Sequence, residues 1–84
     1  MKKLIQTILQ QKFSADFVEV QDDSPKHINH PEAQKSAGGH YSVTVVSDKF
    51  QGKNLIERHR MVYAALAGLR TEIHALAIKA LTKE

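Results

Sequence analysis

Apolar positions recur along this chain with two different periods. Over residues 2–12, Leu4, Ile5, Ile8 and Leu9 fall at helical spacing and Phe13 completes the stripe. That pattern predicts a short amphipathic helix. In DFVEVQ, residues 16–21, Val18 and Val20 alternate with Phe17 and Glu19, which predicts a strand. Residues 22–39 carry two prolines, two glycines and almost no apolar side chains, so they are expected to be a loop. HYSVTVVSD, residues 40–48, alternates again, with Tyr41, Val43 and Val45 on one face, and predicts a second strand paired with the first in a β-hairpin. KFQG, residues 49–52, reads as a turn closed by Gly52. From Lys53 to about Arg70 the spacing of Leu55, His59, Val62, Leu66 and Leu69 is helical. EIHALAIKAL, residues 72–81, returns to period two, with His74, Leu76 and Ile78 expected on one face.

The order is α-β-β-α-β, with no internal repeat. Helices on one face of a three-stranded sheet give a two-layer α+β domain of KH-like arrangement. At 84 residues the whole chain, 1–84, is expected to be one domain. A domain this small buries only about 60–65% of the surface that its unfolded chain exposes, which leaves little room for a closed catalytic pocket.

Composition narrows the chemistry. No run approaches the ~20 apolar residues of a membrane span. Gln6 and Gln10 interrupt the apolar run behind the charged start, and no small-residue cleavage site follows, so a cytoplasmic protein without a membrane role is expected. The net charge of +3 comes from scattered basic residues and permits nucleic acid without arguing for it. Cysteine is absent, so the chain brings no thiolate. Any metal would be held by histidine or carboxylate, or shared with a partner that supplies thiolates. Five histidines in so short a chain form the main chemical signal.

His59 lies on the apolar stripe of the long helix between Arg58 and Arg60, and reads as a partly buried residue bonded to a nearby loop. The flanking arginines are candidates to contact phosphates or a partner's carboxylates. Lys49 and Lys53 extend that patch; Asp48 and Glu57 dilute it. Replacing both arginines is expected to leave the fold intact. The GxxG loop by which KH domains grip nucleic acid is missing, since no pair among Gly38, Gly39, Gly52 and Gly68 has that spacing. His27 and His30 sit in the long loop, His40 opens the second strand and His74 the third. A loop HxxH pair alone is a weak metal signal. If the loop folds back toward the third strand, His74 and a loop histidine converge into half of a metal site, open to a partner. No catalytic constellation competes: Ser24, Ser36, Ser42 and Ser47 lack a nucleophile-elbow context, and no P-loop or dinucleotide fingerprint is present. An enzyme is not expected.

GGHYSVTVVSDKFQGKNLIERHRMVYAAL followed by IHALAIKALT closely resembles the BolA family. The pieces that carry the resemblance are the H-aromatic-x-V start of strand two, VVSDKFQGK, RHRMVY, IHAL, and the loop start DDSPKH with HINH. They span Phe17 to Leu81. The resemblance implies a class II KH-like fold, acting as a monomer or weak dimer when alone. It also implies partnership with a monothiol glutaredoxin and a [2Fe–2S] cluster bridging the two proteins. In the family the IHAL histidine, here His74, is the constant ligand. A cysteine or histidine of the loop between strands one and two is the other. With no cysteine, the candidates are His27, His30 and His40. The loop-start match favours His27, and the rigid strand-start position makes His40 the runner-up. Mixed thiolate–imidazole ligation resembles that of Rieske centres. Imidazole must be neutral to bind, so cluster retention is expected to weaken as pH falls toward ~6.5. A second family role, transcriptional regulation of morphology and stress response through DNA binding, would use the helix carrying Arg58 and Arg60. A third and plainer reading is a KH-like interaction module with some other partner.

Overall fold

The computed structural model describes residues 1–23 and 39–83. The elements are α1 (Lys2–Phe13), β1 (Phe17–Asp22), β2 (Gly39–Val46), a 3₁₀ turn (Asp48–Phe50), α2 (Leu55–Ala65), a second 3₁₀ turn (Ala67–Leu69) and β3 (Ile73–Leu81). The expected α-β-β-α-β order holds. Of the expected loop, Asp22 and Gly39 belong to strands and Asp23 is irregular; residues 24–38 lie outside the described residues.

The sheet order is β1-β2-β3. β1 pairs with β2 antiparallel, from Phe17↔Val46 to Asp22↔Tyr41. β3 returns through α2 and lies parallel to β2, from Gly39↔Ile73 to Val46↔Leu81. Three cross-strand rows, Val18–Val45–Ala80, Val20–Val43–Ile78 and Asp22–Tyr41–Leu76, share the inner face. Their apolar members meet Ile5, Leu9 and Phe13 of α1, and Val62 and Leu66 at the end of α2. Both helices therefore cover one face and leave the other open.

α1 buries a row at i, i+4 and i+8, Ile5, Leu9 and Phe13, while Leu4 of the expected stripe stays 47% exposed on its flank. The helix stops at Ser14, which adopts φ 45° and donates its N–H to Gln10 O. α2 begins with a capping box. Glu57 N–H donates to Asn54 Oδ1 at 2.8 Å, and Asn54 N–H donates to Glu57 Oε1 at 2.9 Å. Gly52 turns the chain into that cap at φ 78°. α2 is shorter than its sequence pattern. It passes at Leu66 into a 3₁₀ turn holding Gly68, a poor helix former. It meets the core only from Met61 onward, so Leu55, counted in the apolar stripe, is 66% exposed.

KFQG is more than a connecting turn. Its Phe50 is fully buried and packs on Phe13, ring centroids 4.9 Å apart and planes tilted by 40°. Ser47, just before it, is the buried polar residue among the described core. Its Oγ donates to Phe13 O at 2.6 Å and accepts from Lys49 N–H at 3.1 Å, and its N–H donates to Leu81 O at 2.9 Å. One residue thus joins the end of α1, the 3₁₀ turn and the end of β3. Removing the hydroxyl leaves a buried carbonyl without its donor, which costs about 1–3 kcal/mol. Ser47→Ala should lower Tm by about 4–8 °C per kcal/mol lost, read by thermal circular dichroism; an unchanged Tm would show that the joint is dispensable.

Candidate functional site

The third strand is where sequence pattern and structure part. β3 has nine residues and its partner stretch of β2 has eight. The pairing jumps from Gly39↔Ile73 to His40↔Ala75, so His74 is an extra residue with no partner across the ladder. Ile73 leans on the core, Leu76 and Ile78 face it, and His74 and Ala75 are both exposed. The expectation that His74 shares a face with Leu76 and Ile78 is therefore corrected. The bulge breaks the period-two alternation and turns His74 to the open face. There its ring stacks on that of His40, centroids 5.2 Å apart and planes at 29°. Two of the expected metal-site histidines, one from each strand, are thus brought together. His27 and His30 lie outside the described residues.

The backbone around His40 is firmly set. Gly39 N–H donates to Glu72 O at 2.9 Å, and Asp23 N–H donates to His40 O at 2.6 Å. Ser42 Oγ donates to Asp23 Oδ2 on the same side. On the inner face the Tyr41 ring lies over Gly39, where a Cβ would overlap Cε2, Cζ and Oη of that ring. Glycine is needed there for space. Burial pushes the Tyr41 phenol above its ordinary pKa of 10.0, and the Asp22 carboxylate paired opposite adds to the rise. Sequence reasoning placed Asp22 and Gly39 in a loop and missed this packing. The HY pair after GG was its visible trace.

What the described part offers a metal is imidazole. Among the described residues no three His, Asp or Glu side chains gather closely enough to hold an ion. The exposed His74 beside His40 is at most half of a donor set, and it fits a group whose other ligands come from elsewhere.

The basic residues of α2 do not act as one patch. Arg58 is half-buried; its Nε donates to Lys53 O at 2.8 Å and its Nη1 to Ala80 O at 2.9 Å. It braces the helix start against β3. The expectation that both arginines can be removed without touching the fold is corrected for Arg58. Arg60, Lys49 and Lys53 are exposed. Residues two apart on a helix project to different sides, so Arg60 does not extend Arg58. His59 is half-buried as expected, but the expected loop partner is not found: its Nε2 has no hydrogen bond among the described residues.

A family model described as BolA-like protein matches residues 9–84. The chain belongs to the BolA-like family. The DNA-binding transcriptional regulator BolA of Escherichia coli (strain K12) is 40% identical over 98% of this chain and 75% of its own length. Protein BOLA2 of Arabidopsis thaliana is 49% identical over 66% of this chain and 59% of that protein. Among solved structures, a bol-like protein from Babesia bovis superimposes with a TM-score of 0.82 at 30% identity, covering 99% of this chain and 85% of that one. The BolA-like fold accounts for the two helices on one face of a mixed sheet. Among the described residues no helix is long and apolar enough to cross a membrane.

The two arginines should separate in a denaturation experiment. Arg58→Ala loses both carbonyl contacts and should cost roughly 1–2 kcal/mol. Arg60→Ala should stay within about 0.5 kcal/mol of wild type. Equal urea midpoints for the two variants would remove the bracing role of Arg58.

Proposed function

We propose that this BolA-like chain is an adaptor that docks on a monothiol glutaredoxin and shares a [2Fe–2S] cluster with it, in iron–sulfur cluster trafficking or iron and redox sensing. His74 is one iron ligand, and the second imidazole comes from His27, His30 or His40. The observation that carries the reading is the bulge. An extra residue in a parallel ladder is uncommon, and here it lifts a histidine off the inner face onto the uncovered side of the sheet. A structural histidine needs no such exposure; a ligand for a group shared with a partner does. The chain contributes imidazole and no cysteine, so the partner supplies the thiolates. Bound in this way, the cluster supplies one-electron chemistry at a potential raised by histidine ligation. The same open face exposes Phe17 and Leu81 at either side of Val46, apolar surface that suits a docked protein.

The test is anaerobic co-purification with a monothiol glutaredoxin, read by visible absorption and circular dichroism. His74→Ala should abolish the histidine-dependent bands. His27→Ala should weaken them, with His30 able to substitute. Association without the cluster should survive both changes. A heterocomplex spectrum unaltered by His74→Ala would remove the reading.

A second reading, DNA-binding regulation, is supported by the similarity to the Escherichia coli DNA-binding transcriptional regulator BolA and by the exposed Arg60, Lys49 and Lys53 near the start of α2. Arg58 is occupied elsewhere and leaves that set. Should the chain bind DNA by these residues, Arg60→Ala should reduce the salt slope of the affinity by about 0.9, one phosphate contact. A steep slope unchanged by Arg60→Ala would exclude this residue from the DNA-binding surface.

A further inference from the structure

A cleft of about 220 Å³ opens at the edge of the sheet, between the end of α2 and the start of β3. Tyr63, Leu66, Ile73 and Leu76 supply its walls, and Arg70 is the charged residue that lines it. Leu66 is buried, Ile73 and Leu76 are half-buried, and Tyr63 is 53% exposed. Arg70 is exposed, and its guanidinium has no hydrogen bond or ion pair among the described residues. Glu72, two residues on, accepts instead from Thr71 Oγ1 at 3.0 Å. We propose that this cleft docks a partner protein through one large apolar side chain followed directly by an aspartate or glutamate: the apolar group fills the cleft and the carboxylate meets Arg70. Cluster sharing is not required for it.

Size and surroundings choose the occupant. The space is smaller than the roughly 300–1,000 Å³ of sites that enclose drug-sized molecules, and the exposed Tyr63 leaves it open to solvent, so it suits one side chain of a larger partner. An apolar anchor held beside Tyr and Arg is the kind of contact that dominates binding at protein interfaces. A carboxylate matches a guanidinium in charge and in its forked geometry. The edge of the sheet limits how a partner can bind. β3 has β2 on one side only. Leu81 O faces β2, where the Ser47 N–H donates to it. Carbonyls alternate in direction along a strand, so Leu76 O and Ala80 O face the free edge. Both are occupied: Tyr63 Oη donates to Leu76 O at 3.3 Å, and Arg58 Nη1 to Ala80 O at 2.9 Å. A strand added to this edge would find those acceptors taken, which leaves recognition to side chains. The same bond ties the Tyr63 ring to β3, so this wall of the cleft stands before a partner arrives.

A nuclear magnetic resonance titration of the full chain tests the site, with the capped tetrapeptide acetyl-Ala-Phe-Glu-Ala-amide as probe. Amide signals should shift at Tyr63, Leu66, Ile73 and Leu76. Replacing the probe's Phe by Ala should weaken binding at least about ten-fold, and replacing its Glu by Gln roughly two- to five-fold. In Arg70→Gln, which removes an exposed side chain that bonds nothing among the described residues, the Glu and Gln probes should bind alike. Absence of shifts at these residues with millimolar probe overturns the proposal, and so does a preference for Glu that survives Arg70→Gln. Two other occupants show themselves in the same experiment. Tighter binding of phenylpropionate than of the peptide would make the cleft a site for a small acid. Shifts at the same residues on raising the protein concentration alone would make it a contact between two copies of this chain. Either result overturns docking of a partner protein.

Discussion

β3 is held to β2 at both ends, and the two strands do not have the same number of residues. At one end Ser47 N–H grips Leu81 O, while the Ser47 hydroxyl, fully buried, reaches Phe13 O at the end of α1. At the other end Gly39 N–H grips Glu72 O. Apolar packing between layers is non-directional and tolerates sliding; these bonds do not. Between the two grips, nine residues of β3 must lie against eight of β2. One residue has to be left over, and it is His74. The joint at the far end of the sheet thus requires a left-over residue, and the register shift beside Gly39 puts it at His74.

The same constraint explains which parts of the molecule can be read from its sequence. The order of elements, the inner rows of β1 and β2, and the row Ile5, Leu9 and Phe13 depend on local periodicity, and periodicity records them. So does the α2 cap, since Asn54 and Glu57 stand at capping-box spacing. The face of His74 depends on how a ladder closes at two distant points, and a period-two reading places it on the wrong side. Leu55 has the right phase on its helix and the wrong height: α2 overhangs the core by its first turn. Arg58 looked like a surface cation because its acceptor, Ala80 O, is 22 residues away along the chain. Resemblance to a family singled out His74 where periodicity misplaced it, but it carried no information on the bulge that makes the residue available.

The two ends of β2 consequently do different work. Around Ser47 the layers are bolted together with Phe50 and Phe13 beneath. Around Gly39 and His40, seven to eight residues away and therefore about 25 Å along the strand, the outer side carries the paired histidines and the inner side carries Tyr41. The His74 side chain contributes nothing to the core, so chemistry can change there without the fold following. That separation suits the adaptor role proposed above, in which His74 is rearranged when a partner arrives while the sheet that carries it stays in one piece. Were His74 in register, its ring would point toward α2, and any ligand exchange there would have to open the core.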